Sequence, residues 1–439
     1  MENLSRRLKF RLACAFLPAC VALAGCAQPY ATSSNFNTGS VPNTGTLPPL
    51  PNAGGAAPPG ETGKTGGAVA LLVPLTGDLA PVGMALENAA KLAFPPGAPS
   101  TLDVRDTGGT PSGAAAAAQA AIAAGDGIIL GPLTSGETHA VAPIAQEADV
   151  NMLPFTNDSS VAAPGIWPLG ISPDQQVKRA LAAASADGRT QVAALLPDDN
   201  FGHALGSAIQ TETAALGEPA PSMTFYESGF SNINQAIRDV SDFADRGAGL
   251  EAEIKAAKNE DTAAGNEKAR ELSRQQVPAP SFNALFIGSF DPGELAEMAT
   301  LLPFYSVGQP QVQFIGPANW AMIADQLGRN GVFNGSIYAA PDPAAAAAFA
   351  AKYSTTYGGP PPAIADVAFD AAAIASLIAG QGGFTSNLLT NPSGFAGADG
   401  VLQLEPNGQV ERGLAVFEAA PTGPTITSPA PTSLANPSS

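Results

Sequence analysis

Thiols are almost missing from this chain: its 439 residues hold three cysteines, Cys14, Cys20 and Cys26, all near the N-terminus. Beyond position 26 no disulfide and no thiolate metal site can form, so stability must come from buried apolar surface. Histidine is scarcer still. His139 and His203 fall on separate expected helices with no Cys or paired His nearby, which argues against zinc. Basic residues are few as well, 20 Lys and Arg against 38 Asp and Glu, for a formal charge of −18. Without a basic patch to displace counterions, nucleic-acid binding is excluded. An acidic surface speaks first to solubility and names no ligand.

Catalytic signatures are missing too. No Gly-x-Ser-x-Gly elbow and no Ser-x-x-Lys occurs, so acyl-enzyme chemistry has no visible nucleophile. Gly63-Lys64-Thr65 has Pro58 where a phosphate-binding loop needs glycine, and it precedes a strand instead of following one. Asp198-Asp199-Asn200 lacks calcium-loop spacing. Asp366 and Asp370 share a helix face at i, i+4, and with no second cluster to complete a site they read as polar-face or capping residues. No cofactor is expected, and the chain reads as a non-enzyme.

Long apolar runs are absent. The longest near the start, Leu12 to Ala24, has thirteen residues broken by Pro18, too few to span a bilayer. Arg6, Arg7, Lys9 and Arg11 precede it, as in a signal peptide. It ends in Leu23-Ala24-Gly25-Cys26, which resembles a bacterial lipobox. That resemblance implies a lipoprotein signal peptide over 1–25, diacylglycerol on Cys26, and a mature charge near −21. Attachment to a membrane would be by lipid only, in the periplasm. Residues 26–66, Pro/Gly-rich after the lipidated Cys, read as a disordered tether averaging roughly 35 Å end to end. Residues 420–439 read as a disordered tail.

About 350 residues lie between, more than one compact core usually holds. From Ala68 short apolar runs alternate with helical periodicity: strands at Ala68–Val73, Thr101–Arg105, Gly127–Leu130 and Asn151–Leu153, helices between them. The alternation breaks near Trp167–Pro173 and restarts at Gln191–Leu196. Such patterning predicts an α/β fold of two doubly wound parallel-sheet lobes with a hinge and an interlobe cleft. Lobe 1 is expected over 67–170 plus 341–400. Lobe 2 is expected over 171–340 plus 401–419, with a charged helical insertion at 245–277. Pro406-Asn407-Gly408 between apolar runs signals a hairpin.

Several segments, in order, resemble type 1 periplasmic binding proteins, the leucine/isoleucine/valine-binding group. They are Val69–Gly77, Ala85–Ala90, Ile128–Ser135, Asn151–Thr156 and Ala193–Gly202. The resemblance implies a cleft at the carboxyl ends of the strands, in line with the general rule for open α/β sheets. Its expected ligand-binding residues are Thr76, Thr134, Ser135, Phe155, Thr156, Phe201, Phe290, Asp291 and Asn319. Thr134-Ser135-Gly136 opens a helix whose N-terminus suits an anion, although Ser135 also suits plain N-capping. The amino-acid binders hold the ammonium group with an acid and tyrosines. Here Gly316–Trp320 shows no acid, Phe201 carries no hydroxyl, and Asp291 also suits capping.

Phe282–Gly288 and Leu301–Tyr305, with the anchor and the charged insertion, resemble a second branch, the penicillin-binding-protein activators. The expected partners are therefore a small polar ligand (amino acid or peptide-like), or a peptidoglycan synthase.

Overall fold

The computed structural model describes residues 62–275 and 277–434. Cys26, the signal segment and most of the expected tether lie outside the described residues.

The first lobe is built from β1 (Val69–Val73), α1 (Ala80–Ala93), β2 (Leu102–Asp106), α2 (Pro111–Ala124), β3 (Ile128–Leu130), α3 (Ser135–Glu147) and β4 (Asn151–Leu153). Its strands pair in the order β2-β1-β3-β4, all parallel. All five residues of β1 are buried, as a parallel strand covered on both faces requires.

The second lobe begins with α4 (Pro173–Ala186), β5 (Val192–Pro197), α5 (Asn200–Ala215), β6 (Ser222–Tyr226) and α6 (Phe230–Val240). It continues through α7 (Phe243–Asn259), α8 (Ala263–Leu272), β7 (Ala284–Ile287), α9 (Pro292–Phe304), β8 (Gln313–Gly316), α10 (Ala324–Arg329) and β9 (Ile337–Ala340). The charged insertion is the pair α7 and α8, which buries Ala257, Ala269 and Leu272 as a small core of its own.

After β9 the chain returns to the first core with α11 (Pro343–Tyr357) and α12 (Ala365–Ala379), whose Phe349, Tyr353, Ala368 and Ile374 pack beneath β1 and β3. Three short strands follow, β10 (Phe395–Gly397), β11 (Gly400–Leu404) and β12 (Val410–Arg412), in an antiparallel sheet. The hairpin at Asn407-Gly408 joins β11 to β12. The chain ends in β13 (Ala415–Glu418) and β14 (Thr425–Ser428), completing a second sheet of order β14-β13-β9-β8-β7-β5-β6.

Three expectations need correction. Residues 401–412 were assigned to lobe 2, but Leu402, Leu404 and Val410 are buried in the lobe 1 core, and the crossing falls at Gly413-Leu414. The tail from 420 contains an ordered edge strand, β14, paired antiparallel with β13 and tied by Arg179, whose Nη2 donates to Ser428 Oγ at 2.6 Å. Helix α4 was not foreseen, although Ser172 and Gln175 form a reciprocal capping box at its start.

Both lobes seat a helix on the loop after their leading strand by the same device. A Cβ on Gly83 would lie 1.8 Å from the Pro74 carbonyl oxygen, and one on Gly202 would lie 1.9 Å from that of Pro197. Only glycine lets each helix come this close to the carboxyl end of its strand. Gly83→Ala is therefore expected to cost about 1–3 kcal/mol of stability by overpacking. Urea denaturation reads this as a lower midpoint, and an unchanged midpoint would contradict the close approach.

Candidate functional site

The loops at the carboxyl ends of the parallel strands from both lobes border one continuous cleft with two chambers. The larger encloses about 1000 Å³ and is lined by Ser135 and Asp158 from lobe 1 and by Asp199, Phe201, Phe290 and Glu294 from lobe 2, among others. The smaller encloses about 700 Å³ between Thr134, Phe155 and Thr156 on one side and Ala318 and Met322 on the other. Ser135, Asn157 and Asn319 line both.

Of the nine ligand-binding residues expected from sequence, eight border this cleft. Thr76 does not line either chamber. Its hydroxyl donates to Asp106 Oδ2 at 2.6 Å, and Asp106 Oδ1 accepts from the backbone N–H of Leu75, Thr76 and Gly108. The Thr76 hydrogen bond is the main reason that the Asp106 carboxyl is held below its ordinary range, with burial opposing. Thr76 thus fastens the loop after β1 to the end of β2.

The start of α3 differs in detail from the expectation. Thr134, not Ser135, is the N-cap, in a full capping box: its Oγ1 accepts from Glu137 N at 3.2 Å, and its backbone N–H donates to Glu137 Oε2 at 3.0 Å. Ser135 Oγ donates instead to Asp158 Oδ2 in a very short contact, and His139 Nε2 stands 3.6 Å from the same oxygen. Burial pushes the Asp158 carboxyl up, yet hydrogen bonds from Ser135 and Ser160 outweigh it and hold it below the usual range. The helix end foreseen as an anion site is therefore already faced by two of the protein's own carboxylates.

On the lobe 2 side, Asp199 caps α5 through Gly202 N at 2.7 Å. Asp291 caps α9 through Gly293 N and Glu294 N at 2.8 and 3.0 Å. The Phe201 and Phe290 rings meet edge to face at 6.1 Å, with Phe290 41% exposed to the cleft. Such a pair adds about 0.5–1.5 kcal/mol beyond its buried area. Asn319 borders the cleft, while its neighbour Trp320 is fully buried in the core with Nε1 donating to the Ser289 carbonyl at 2.8 Å.

Glu294 was not singled out from sequence. Its carboxylate accepts from Tyr226 Oη at 3.0 Å, Ser289 Oγ at 2.7 Å and Ser228 Oγ at 2.6 Å. Burial, with Glu294 nearby, raises the Tyr226 hydroxyl well above its ordinary range, so it remains a donor. These contacts join the end of β6 to the loop after β7 and the start of α9, and no periodicity brings them together in the sequence.

The second miss is larger. Asp370 is fully buried on α12, with Oδ1 accepting from Ala398 N at 2.5 Å and Oδ2 at 3.4 Å from Arg412 Nη1. The same Nη1 makes a very short contact with Asp399, while Nη2 donates to the Leu169 carbonyl at 2.9 Å. Asp366, one turn before Asp370, and Asp399 line the smaller chamber. The i, i+4 acids thus belong to a buried cluster whose other members lie 29 or more residues further along the chain. Asp366 is half-buried as a residue, but its Oδ1 is out of solvent and makes no hydrogen bond to a donor among the described residues.

Residues 68–246 match the model of the family described as periplasmic binding protein. An uncharacterized protein of Rickettsia prowazekii (strain Madrid E) is 25% identical over 178 residues, which span 40% of this chain and 48%, about half, of that protein. A putative branched-chain amino acid ABC transporter structure from Rhodospirillum rubrum superposes with a TM-score of 0.62 at 16% identity, over 82% of this chain and 99% of that one. The C-domain of LpoA from Haemophilus influenzae, a regulator of PBP1A, superposes with a TM-score of 0.56 at 17% identity, over 82% and 99%. Among the described residues no helix is long and apolar enough to cross a membrane.

The acid cluster gives stability a sign with pH. Burial first, then the charge on Asp399, pushes Asp366 up to about 7, and the same causes raise Asp370. A carboxyl raised in the folded state makes the fold bind protons more tightly than the unfolded chain does. Its contribution is complete below about pH 4 and is lost as pH climbs through about 7. Asp106 and Asp158, both lowered, act below that window. The melting temperature should fall between pH 5 and pH 8, and Asp366→Asn should reduce that loss by on the order of 2 kcal/mol. Parallel pH profiles for the two proteins would contradict this.

Proposed function

We propose that this chain, built on the type 1 periplasmic binding fold shared by these structures, is an extracytoplasmic binding protein that takes a small polar ligand between its lobes. One observation carries the reading: a cavity of about 1000 Å³, lined mostly by Ser, Asn and acidic residues, whose lining comes from strand-end loops of both sheets. A ligand touching both lobes stabilises the closed arrangement over the open one, which is the differential affinity that closure requires. Its volume lies at the upper end for small-molecule sites. The cleft presents hydroxyls, amides, carboxylates and an aromatic pair, and no reacting constellation. Anchoring is by lipid on Cys26.

A second reading has its own observation. Lobe 2 projects the α7–α8 pair, and beside it Phe243, Phe304 and Tyr305 stack with Phe304 69% exposed. An exposed aromatic surface next to a projecting helical pair suits protein contact, as in an activator of a peptidoglycan synthase.

Thermal unfolding of the purified full chain against amino acids, short peptides and muropeptides separates the two. Selective binding to the folded state raises stability by about 2.7 kcal/mol at a hundredfold excess over Kd. A shift that disappears in the Ser135→Ala/Phe201→Ala double variant, which itself remains folded, supports the cleft. No shift with any compound, together with retention on a purified synthase, would replace it with the second reading. Cys26→Ser is expected to abolish palmitate incorporation and leave the chain in the soluble fraction, and continued labelling would exclude that anchor.

A further inference from the structure

The charge lining the cleft has one sign. Asp158, Asp174, Asp199, Asp291 and Glu294 border the larger chamber, and Asp366 and Asp399 the smaller. Among the described residues, no Lys, Arg or His lines either. Arg412 lies behind this surface, fully buried and already engaged by Asp370, Asp399 and the Leu169 carbonyl.

Three independent details favour a positive occupant. At the start of α3, Glu137 and Asp158 stand where an anionic ligand would dock, so an incoming carboxylate or phosphate meets like charges. Glu294 is fixed by three hydroxyl donors, none of them a cation, which orients its charge without neutralising it. The exposed Phe290 ring, braced by Phe201, offers the kind of π face that attracts an ammonium or guanidinium.

We propose that the cleft's ligand is a small organic cation, bearing at least one ammonium or guanidinium group and no net negative charge. The proposal rests on the interlobe binding reading and narrows it. The carboxylates hold the positive end, and the apolar side of the smaller chamber, with Val82, Ile364 and Met322, receives an aliphatic portion. Association is then favoured by the field of the cleft and weakens as salt screens it.

Isothermal titration of the full chain with spermidine, agmatine, leucine and glutamate tests this, in low and high salt. Asp199→Asn/Asp291→Asn is the informative variant, because asparagine caps a helix as well as aspartate does, so two charges leave while both caps stay. Asp325→Asn, on the surface and away from both chambers, controls for non-specific attraction to an acidic protein. The expected result is one-to-one binding of a cation, weakened about tenfold in the double variant and unchanged in the control. Equal cation binding in all three proteins places it on the general surface and overturns the proposal. Binding of leucine or glutamate, without the cations, overturns the ligand class and leaves the cleft reading intact. Binding of none of the four, in a chain that also gives no shift with amino acids, peptides or muropeptides, overturns both.

Discussion

A guanidinium sealed inside lobe 1 joins parts of this molecule that are far apart in sequence. Arg412 reaches Asp370 on α12, Asp399 in the turn before β11, and the carbonyl of Leu169 on the first connector between lobes. It also stands immediately before the last crossing into lobe 2. Burying such a group is tolerable only because several acceptors surround it, and removing one member of a buried pair costs on the order of 3–5 kcal/mol. Two of the three connectors are thereby tied to one point. Because Asp366 and Asp399 also face the smaller chamber, the same cluster forms part of the cleft wall.

The cleft follows from the order of strands and helices. Parallel sheets send every strand-end loop to the same edge, and each lobe turns that edge toward the other. Gly83 and Gly202 let the following helices close against the first strand loop of each lobe. The N-caps Thr134, Asp199 and Asp291 then set the helix starts at the cleft wall. Capping explains much of the acidic lining locally, while the absence of a compensating base among the described lining residues does not follow from capping at all. That absence gives the site its character.

How much of this was legible in the sequence depended on whether the signal was local. Strands buried on both faces, such as β1, and helices with clean apolar spacing, such as α1, could be read directly. Helix α4 was passed over although Val177, Ala180, Leu181 and Ala184 recur at helical spacing behind its capping box. β14 carries three exposed residues of four between prolines, so neither alternation nor burial marks it as an edge strand. Eight cleft residues were placed by analogy of loop position. Glu294 and the Arg412 cluster were not, because their meaning comes from contacts between segments far apart in the chain. The same holds for Asp366 and Asp370, whose i, i+4 spacing was visible while the guanidinium 42 residues after Asp370 was not linked to them.

Hydrogen exchange of the full chain, with and without the compound that raises its melting temperature most, tests the two-lobed binding account most directly. A ligand held between lobes must slow exchange together at the start of α3 and around 156–160 in lobe 1, and at 199–203 and 289–294 in lobe 2. Protection confined to one lobe, or centred on α7 and α8 with the strand-end loops unchanged, would contradict it.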